Sequence, residues 1–217
     1  DVLGSRGLGD VYKRQILLSK KQEFIGELTT EKEIVFVTHN TGRIKSAEKY
    51  FKNLKFTTFN YELNEPRSDD IKEIATAKVK ELLNSKNTCI ALDTDFRIEE
   101  LNGFSRAFVN FSLDTIGING ILKLMEGKRT ENVHLMILAY HDGKDINYFY
   151  GKQPGILLEK IQGLYRAEKW SDLCYIFKPK GFNKTLAEMG LEERKNRRKV
   201  DGSVQTMQEF AKWYEKQ

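Results

Sequence analysis

The sequence predicts a mixed-sheet α/β fold, and three observations carry that reading. Continuous β-branched and aromatic runs at 34–37 and 88–92 mark strands buried on both faces. Helical periodicity separates these early strands, as a parallel sheet requires. Further on, two apolar segments flank the turn His141-Asp142-Gly143-Lys144 and read as an antiparallel pair.

The elements follow in chain order. The first strand, 34–37, stops at the turn formers Thr38-His39-Asn40-Thr41-Gly42, and a helix is expected over about 43–51. A second strand at 55–60 closes a strand–helix–strand unit. The clearest helix spans 68–83, with Ser68 as its cap and Asp69 and Asp70 in the first turn, where the helix dipole favours negative charge. Ile71, Ile74, Ala75, Val79, Leu82 and Leu83 form its apolar face. A buried strand over 88–92 ends abruptly at Asp93. A helix is expected over 116–125, strands over 133–140 and 146–150, a short strand over 175–177, and a closing amphipathic helix over 203–214.

A chain of 217 residues can bury a sizeable core, either as one α/β domain or as two closely packed lobes. Hydrophobic residues at 40% and charged residues at 31% place it among ordinary globular proteins. No apolar run is long enough to cross a bilayer as a helix, which argues against a membrane span. Cys89 and Cys174 fit neither a metal-ligand spacing nor a disulfide framework, so a reducing cytoplasm is the simplest compartment. The net charge of +5 suits a polyanionic partner, nucleotide or nucleic acid, without choosing between them. Residues 1–15 (DVLGSRGLGDVYKRQ) show no strand or helix period and resemble translated adaptor read-through; they are set aside as a non-native leader. Residues 16–31 are expected as an N-terminal extension, and 32–217 as the functional domain.

Three features could carry chemistry. The loop Thr38–Arg43 joins a buried strand to a helix start, where backbone N–H groups and the dipole favour an anion; Arg43 adds a fixed charge. An ordinary strand–helix turn would look the same from this feature alone. Glu65 and Asp93 are two carboxylates near strand ends, the number Mg²⁺ uses when waters and phosphate oxygens complete its octahedron. Each alone would also pass for a cap or a surface acid. Lys78 lies seven residues after Ile71 and four before Leu82, on the apolar face of its helix, so it must either snorkel to water or meet an anion. His39, His134 and His141 have no metal-ligand spacing.

Several motifs recur in a fixed order: Val37-Thr38-His39-Asn40-Thr41-Gly42-Arg43; Leu63-Asn64-Glu65; Lys78; Leu92-Asp93-Thr94; Leu101-Asn102-Gly103-Phe104; Phe177-x-Pro179-x-Gly181; and Thr185-Leu186-Ala187-Glu188-Met189. Together they resemble the inosine triphosphate pyrophosphatase family, which hydrolyses non-standard purine triphosphates such as ITP, dITP and XTP. The resemblance runs from Ile34 to Trp213. Its most specific part is F-x-P-x-G followed by T-x-A-E-M. The first stretch resembles the family's T-G-N-x-x-K phosphate loop, the second its L-P-E, and the fourth its D-[ST]-G-L.

The resemblance implies an α/β mixed twisted sheet in two lobes with a central nucleotide cleft, usually in a homodimer. It implies a hydrolase that converts a purine nucleoside triphosphate to monophosphate and pyrophosphate as nucleotide-pool house-cleaning. Mg²⁺ would be held by Glu65 and Asp93, with Asp93 or a close neighbour activating water and Lys78 completing the catalytic set. Thr38, His39, Asn40, Thr41, Gly42, Arg43, Thr94, Asp172 and Lys195 would contact substrate. The chain departs from the pattern at several places. His39 replaces a Gly, Arg43 a Lys, Asp95 a Gly, and Ser105-Arg106 a Pro-Gly pair. The Asp of the base-binding F-G-[WY]-D-P aligns with Cys174, leaving Asp172 nearby, and Lys199-Val200-Asp201 replaces S-H-R. Two alternatives stay open: a family member that binds nucleotide without hydrolysis, and nucleic-acid binding through the basic run 194–199, a pattern more often found on a solvated helix face.

Overall fold

A computed structural model describes residues 15–16, 18–20, 22–24, 33–38, 40–59, 65–82, 88–164 and 171–217. His39, Leu63, Asn64 and the expected leader up to residue 14 lie outside the described residues.

Seven strands form one mixed sheet: β1 (Ile34–Val37), β2 (Phe56–Phe59), β3 (Thr88–Ile98), β4 (Phe104–Arg106), β5 (Glu131–His141), β6 (Ile146–Leu157) and β7 (Phe177–Pro179). The order is β2-β1-β3-β5-β6-β7, with β4 added to β3. β1 runs parallel to β2 and β3, whereas the β3–β5, β5–β6 and β6–β7 pairs are antiparallel. The mixed-sheet expectation is met, and its two halves match the two parts of the sequence pattern.

Helices cover the sheet unequally. α1 (Thr41–Tyr50) and α6 (Gly202–Tyr214) lie on one face, against Ile34, Phe36, Ile90, Leu92, Met136 and Leu138. α2 (Ile71–Leu82) lies on the other, where Ile71, Ala75 and Val79 meet Val35, Val37, Cys89, Ala91 and Ile137. α3 (Val109–Thr115) and α4 (Gly117–Met125) belong to the far half of the sheet, where Ile121 and Met125 join Phe96, Ile98, Phe177 and Met189 in a separate core. α5 (Leu191–Arg198) precedes α6. Gly151 lets α6 sit close on β6: a Cβ there would lie 2.2 Å from the Gly202 carbonyl oxygen.

Several boundaries differ from expectation, each for a local reason. α1 begins at Thr41 because the Asn40 side chain accepts the Arg43 N–H and caps it. α2 begins at Ile71 because Asp70, not Ser68, caps it: Asp70 Oδ1 accepts the Lys72 N–H, while Ser68 Oγ accepts only from Asp70. β3 does not stop at Leu92 but continues to Ile98, since β5 pairs with it throughout. Residues 172–175 form a 3₁₀ turn, so the short strand shifts to 177–179. α3 and α5 are additional helices.

The long β3 leaves a gap along one of its edges. β1 pairs with β3 only as far as Ile90, and β4 joins the same edge only from Phe96. Between them the edge of β3 is open, and Asp93 lies in the middle of that notch.

Candidate active site

The notch opens into a cleft of about 450 Å³. From the phosphate-loop side it is lined by Thr38, Asn40, Gly42 and Arg43; from α2 and its preceding loop by Lys78 and Glu65; and from β3 by Asp93 and Thr94. Thr41 is the exposed first residue of α1. Eight residues expected at the site from sequence therefore share one cavity, although their positions span 57 residues of chain.

Lys78 sits at the centre of the ionic arrangement. Its Nζ lies 2.7 Å from Asp93 Oδ1 and 2.8 Å from Glu65 Oε1. The lysine that helical spacing places on an apolar face has thus met two anions instead of snorkelling. One cation bridges both carboxylates, so their oxygens are close enough to be satisfied by a single positive centre. Asp93 is buried at 7% exposure and its Oδ2 has no hydrogen-bond partner among the described residues. A buried carboxylate oxygen in that condition is under-satisfied. This donor set fits a hard divalent cation: two carboxylates converge, one retains a free buried oxygen, and each oxygen can accept more than the lysine proton.

Arg43 closes the notch. It donates through Nη1 to the Leu92 carbonyl, which the open edge leaves unpaired by any strand, and through Nη2 to Thr94 Oγ1 at 3.3 Å. Its Nη1 lies 4.0 Å from Asp93 Oδ1. Burial lowers its pKa, while Asp93 and Glu65 oppose that shift; a guanidinium remains charged throughout. Glu65, Asp93, Lys78 and Arg43 sum to zero charge, so an incoming triphosphate meets no net repulsion from them. Asp95, which adds a carboxylate close to this set, is fully buried and held by Arg97 at 2.7 Å. Burial raises its pKa against the pull of Arg97.

The cleft also reaches the sheet's other face. Side chains alternate along β3, so Asp93 shares the α2 face with Ala91, whereas Thr94 shares the α6 face with Leu92. On that second face the cavity is lined by His134, Gln153, Phe177, Leu186 and Asp201. Asp201 caps α6, accepting from Ser203 and Val204 N–H groups, and pairs with Arg197 at 2.5 Å. Burial pushes the His134 pKa down to about 4, with Arg43 and Arg197 contributing and Asp201 opposing.

Two residues expected to bind substrate lie elsewhere. Lys195 points to Glu192 at 2.5 Å with a largely exposed side chain, and Asp172 is half-buried at the start of the 3₁₀ turn; neither lines the cleft. Arg197 and Arg198, two and three residues beyond Lys195, line it instead. The basic run marked the neighbourhood, but a helix turns consecutive residues in different directions. Gln153 and His134 carried no sequence signal, because a polar residue within a strand pattern shows its face but not its neighbours.

Comparison with known proteins accounts for this arrangement. The model of the Ham1 family matches residues 34–211. The chain belongs to the Ham1 family. It is 33% identical over 184 residues to the dITP/XTP pyrophosphatase of Thermococcus kodakarensis, covering 83% of this chain and 96% of that protein. It is 34% identical over 171 residues to the dITP/XTP pyrophosphatase of Saccharolobus solfataricus, covering 75% and 84% respectively. The fold is similar to that of a solved Ham1 protein from Coxiella burnetii, with a TM-score of 0.73 at 15% identity, over 85% of this chain and 99% of that one. The Ham1 fold expected from the motifs is therefore present, and the open notch in β3 lies within the span that the family model matches.

Proposed function

We propose that this chain is a pyrophosphatase acting on non-standard purine nucleoside triphosphates, releasing the monophosphate and pyrophosphate. The observation that carries the proposal is the convergence of Glu65 and Asp93 on Lys78 beside Arg43, in a Ham1-family chain whose relatives are named dITP/XTP pyrophosphatases. In the reaction water attacks the α-phosphorus, a new P–O bond forms, and the α–β anhydride bond breaks with pyrophosphate as leaving group.

Glu65 and Asp93 would hold Mg²⁺, which when bound would supply charge neutralisation and a more acidic water. Asp93 Oδ2, buried and without a partner among the described residues, would take the proton from the attacking water. Arg43 and Lys78 would balance the polyphosphate charge in a site shielded from bulk water, where fixed charges act most strongly. The start of α1, capped by Asn40, adds its dipole at Thr41 and Gly42. His39 belongs to this loop and would contact the same phosphates.

The homodimer and the cytoplasmic setting are parts of the same proposal. The sheet face opposite α6 carries in its far half a concavity floored by Val133, Leu135, Pro154 and Ile156 that no described helix covers, and a second copy would cover it. Two buried cysteines, Cys89 and Cys174, suit a reducing compartment. No helix among the described residues is long and apolar enough to cross a membrane.

Incubation with ITP, dITP, XTP and ATP, with Mg²⁺ or with chelator, tests the proposal through pyrophosphate release. Mg²⁺-dependent release from the 6-oxopurine nucleotides is expected. Absence of release from every nucleotide would end the enzymatic reading and leave a nucleotide-binding protein.

A further inference from the structure

Asp172, which the motif alignment leaves nearest to the base-binding position, and Lys195, expected to contact substrate, do not line the cleft. A different polar group does. His134 and Gln153 are cross-strand neighbours on β5 and β6, and both line the cleft on the α6 face. Gln153 is only 4% exposed, yet its Oε1 has no hydrogen-bond partner among the described residues. A buried amide oxygen left unpaired is costly, so this one calls for a donor from outside the chain. Phe177 and Leu186 line the same cavity and supply apolar surface for a flat heterocycle. His134 is neutral around pH 7, since burial holds its pKa down, and it places no charge beside the ring.

We infer that Gln153 is a specificity-determining residue whose Oε1 accepts the N1–H of a 6-oxopurine, while its amide N–H donates to the O6 of the same ring. The two hydrogen bonds run in opposite directions across adjacent ring atoms, which a planar carboxamide matches. Adenine presents the reverse pattern, an acceptor at N1 and a donor at N6, and mismatches both groups of the carboxamide in the orientation that turns Oε1 to N1. The sheet thus separates the tasks: its α2 face holds the ionic set, and its α6 face reads the base. This inference rests on the pyrophosphatase reading.

Steady-state hydrolysis of ITP, ATP and purine riboside triphosphate, which lacks both N1–H and O6, tests it in wild type and Gln153→Met. The expected result is a loss of at least about tenfold in kcat/KM for ITP, carried by KM, because a site built around a hydrogen bond discriminates strongly against its loss. Purine riboside triphosphate turnover should not fall, since this ring gains nothing from the hydrogen-bond pair and meets Oε1 with the same N1 lone pair as adenine; that also reports an intact fold. An unchanged ITP constant, an equal fall on both substrates, or a loss on ATP in place of ITP overturns the inference. If Gln153→Met does not fold, Gln153→Glu, which keeps an acceptor but loses the donor to O6, is measured in the same way and should lower the ratio of ITP to purine riboside triphosphate kcat/KM, an unchanged ratio overturning the inference; failure of both to fold makes Gln153 a structural residue and overturns it too. A wild type that hydrolyses no nucleotide fails the pyrophosphatase reading itself, whereas a wild type active on ITP with an indifferent variant fails only the role given to Gln153.

Discussion

The two faces of the sheet meet at one cleft and are built on different physics. On the α2 face, Glu65, Lys78 and Asp93, met by Arg43 reaching through the notch from α1, form a compact ionic set in which each charge is matched within 4.0 Å. On the α6 face, Gln153 and His134 are neutral and partly enclosed, and one acceptor stays unpaired. Ionic sets of the first kind govern chemistry common to every nucleotide, because all triphosphates carry the same charge. A neutral hydrogen-bonding wall can distinguish one base from another at little electrostatic cost. The difference suggests that rate and substrate choice can be altered separately.

The largest break in this comparison should come from Lys78→Met. It leaves Glu65 and Asp93 facing each other without their shared cation, and kcat/KM should fall by about 10³-fold or more for every nucleotide alike. A selective loss for one base, measured across ITP, XTP and ATP, would show that the two faces do not divide the work. Next comes Arg43→Lys, which keeps the charge but loses the paired contacts to Leu92 O and Thr94 Oγ1. A reduction of about 10–100-fold in kcat/KM, again independent of base, is expected, since a guanidinium fork is not replaced by a point charge. Arg198→Gln, on the exposed cleft rim, should raise KM only a few-fold, by about 1 kcal/mol or less, and by less still in high salt.

The smallest effect concerns stability. The folded-state pKa of His134 is depressed to about 4 from an ordinary 6.5. Below pH 6.5 the unfolded chain takes up a proton that the folded chain refuses, so stability contributed at neutral pH is lost as pH falls from 6.5 towards 4. His134→Leu should flatten that part of the acid slope in urea unfolding measured at pH 7 and pH 4.5. An unchanged slope would mean that His134 is solvated as freely in the cleft as in the unfolded chain.

The two faces also differ in how far they could be read from the sequence. Lys78 announced itself, because a charge at the spacing of Ile71 and Val79 demands a partner, and Glu65 with Asp93 were the carboxylates available to meet it. Arg43 and Asn40 were visible as a strand–helix junction. Six of the seven strands and the mixed sheet followed from the same periodicities, but β4 was not foreseen and β3 was underestimated. Asp93, Thr94 and Asp95 look like the end of a strand when polarity alone is read, and only pairing with β5 carries the strand through them to Ile98. That hidden continuation creates the notch, because β1 ends while β3 does not. Gln153 and His134 could not be matched in advance, since their meeting depends on the β5–β6 register. Lys195 was favoured over Arg197 and Arg198 by motif alignment, and the orientation of α5 reverses that order in space.

The most direct test of the account is Mn²⁺ binding, followed by electron paramagnetic resonance, in the wild-type chain and in Glu65→Gln and Asp93→Asn. One ion per chain is expected in the wild type, with each substitution weakening its affinity by about tenfold or more, the usual cost of losing a metal-shell group. Equal affinity in all three proteins would contradict the shared site, and with it the claim that the notch in β3 is where the triphosphate is cleaved.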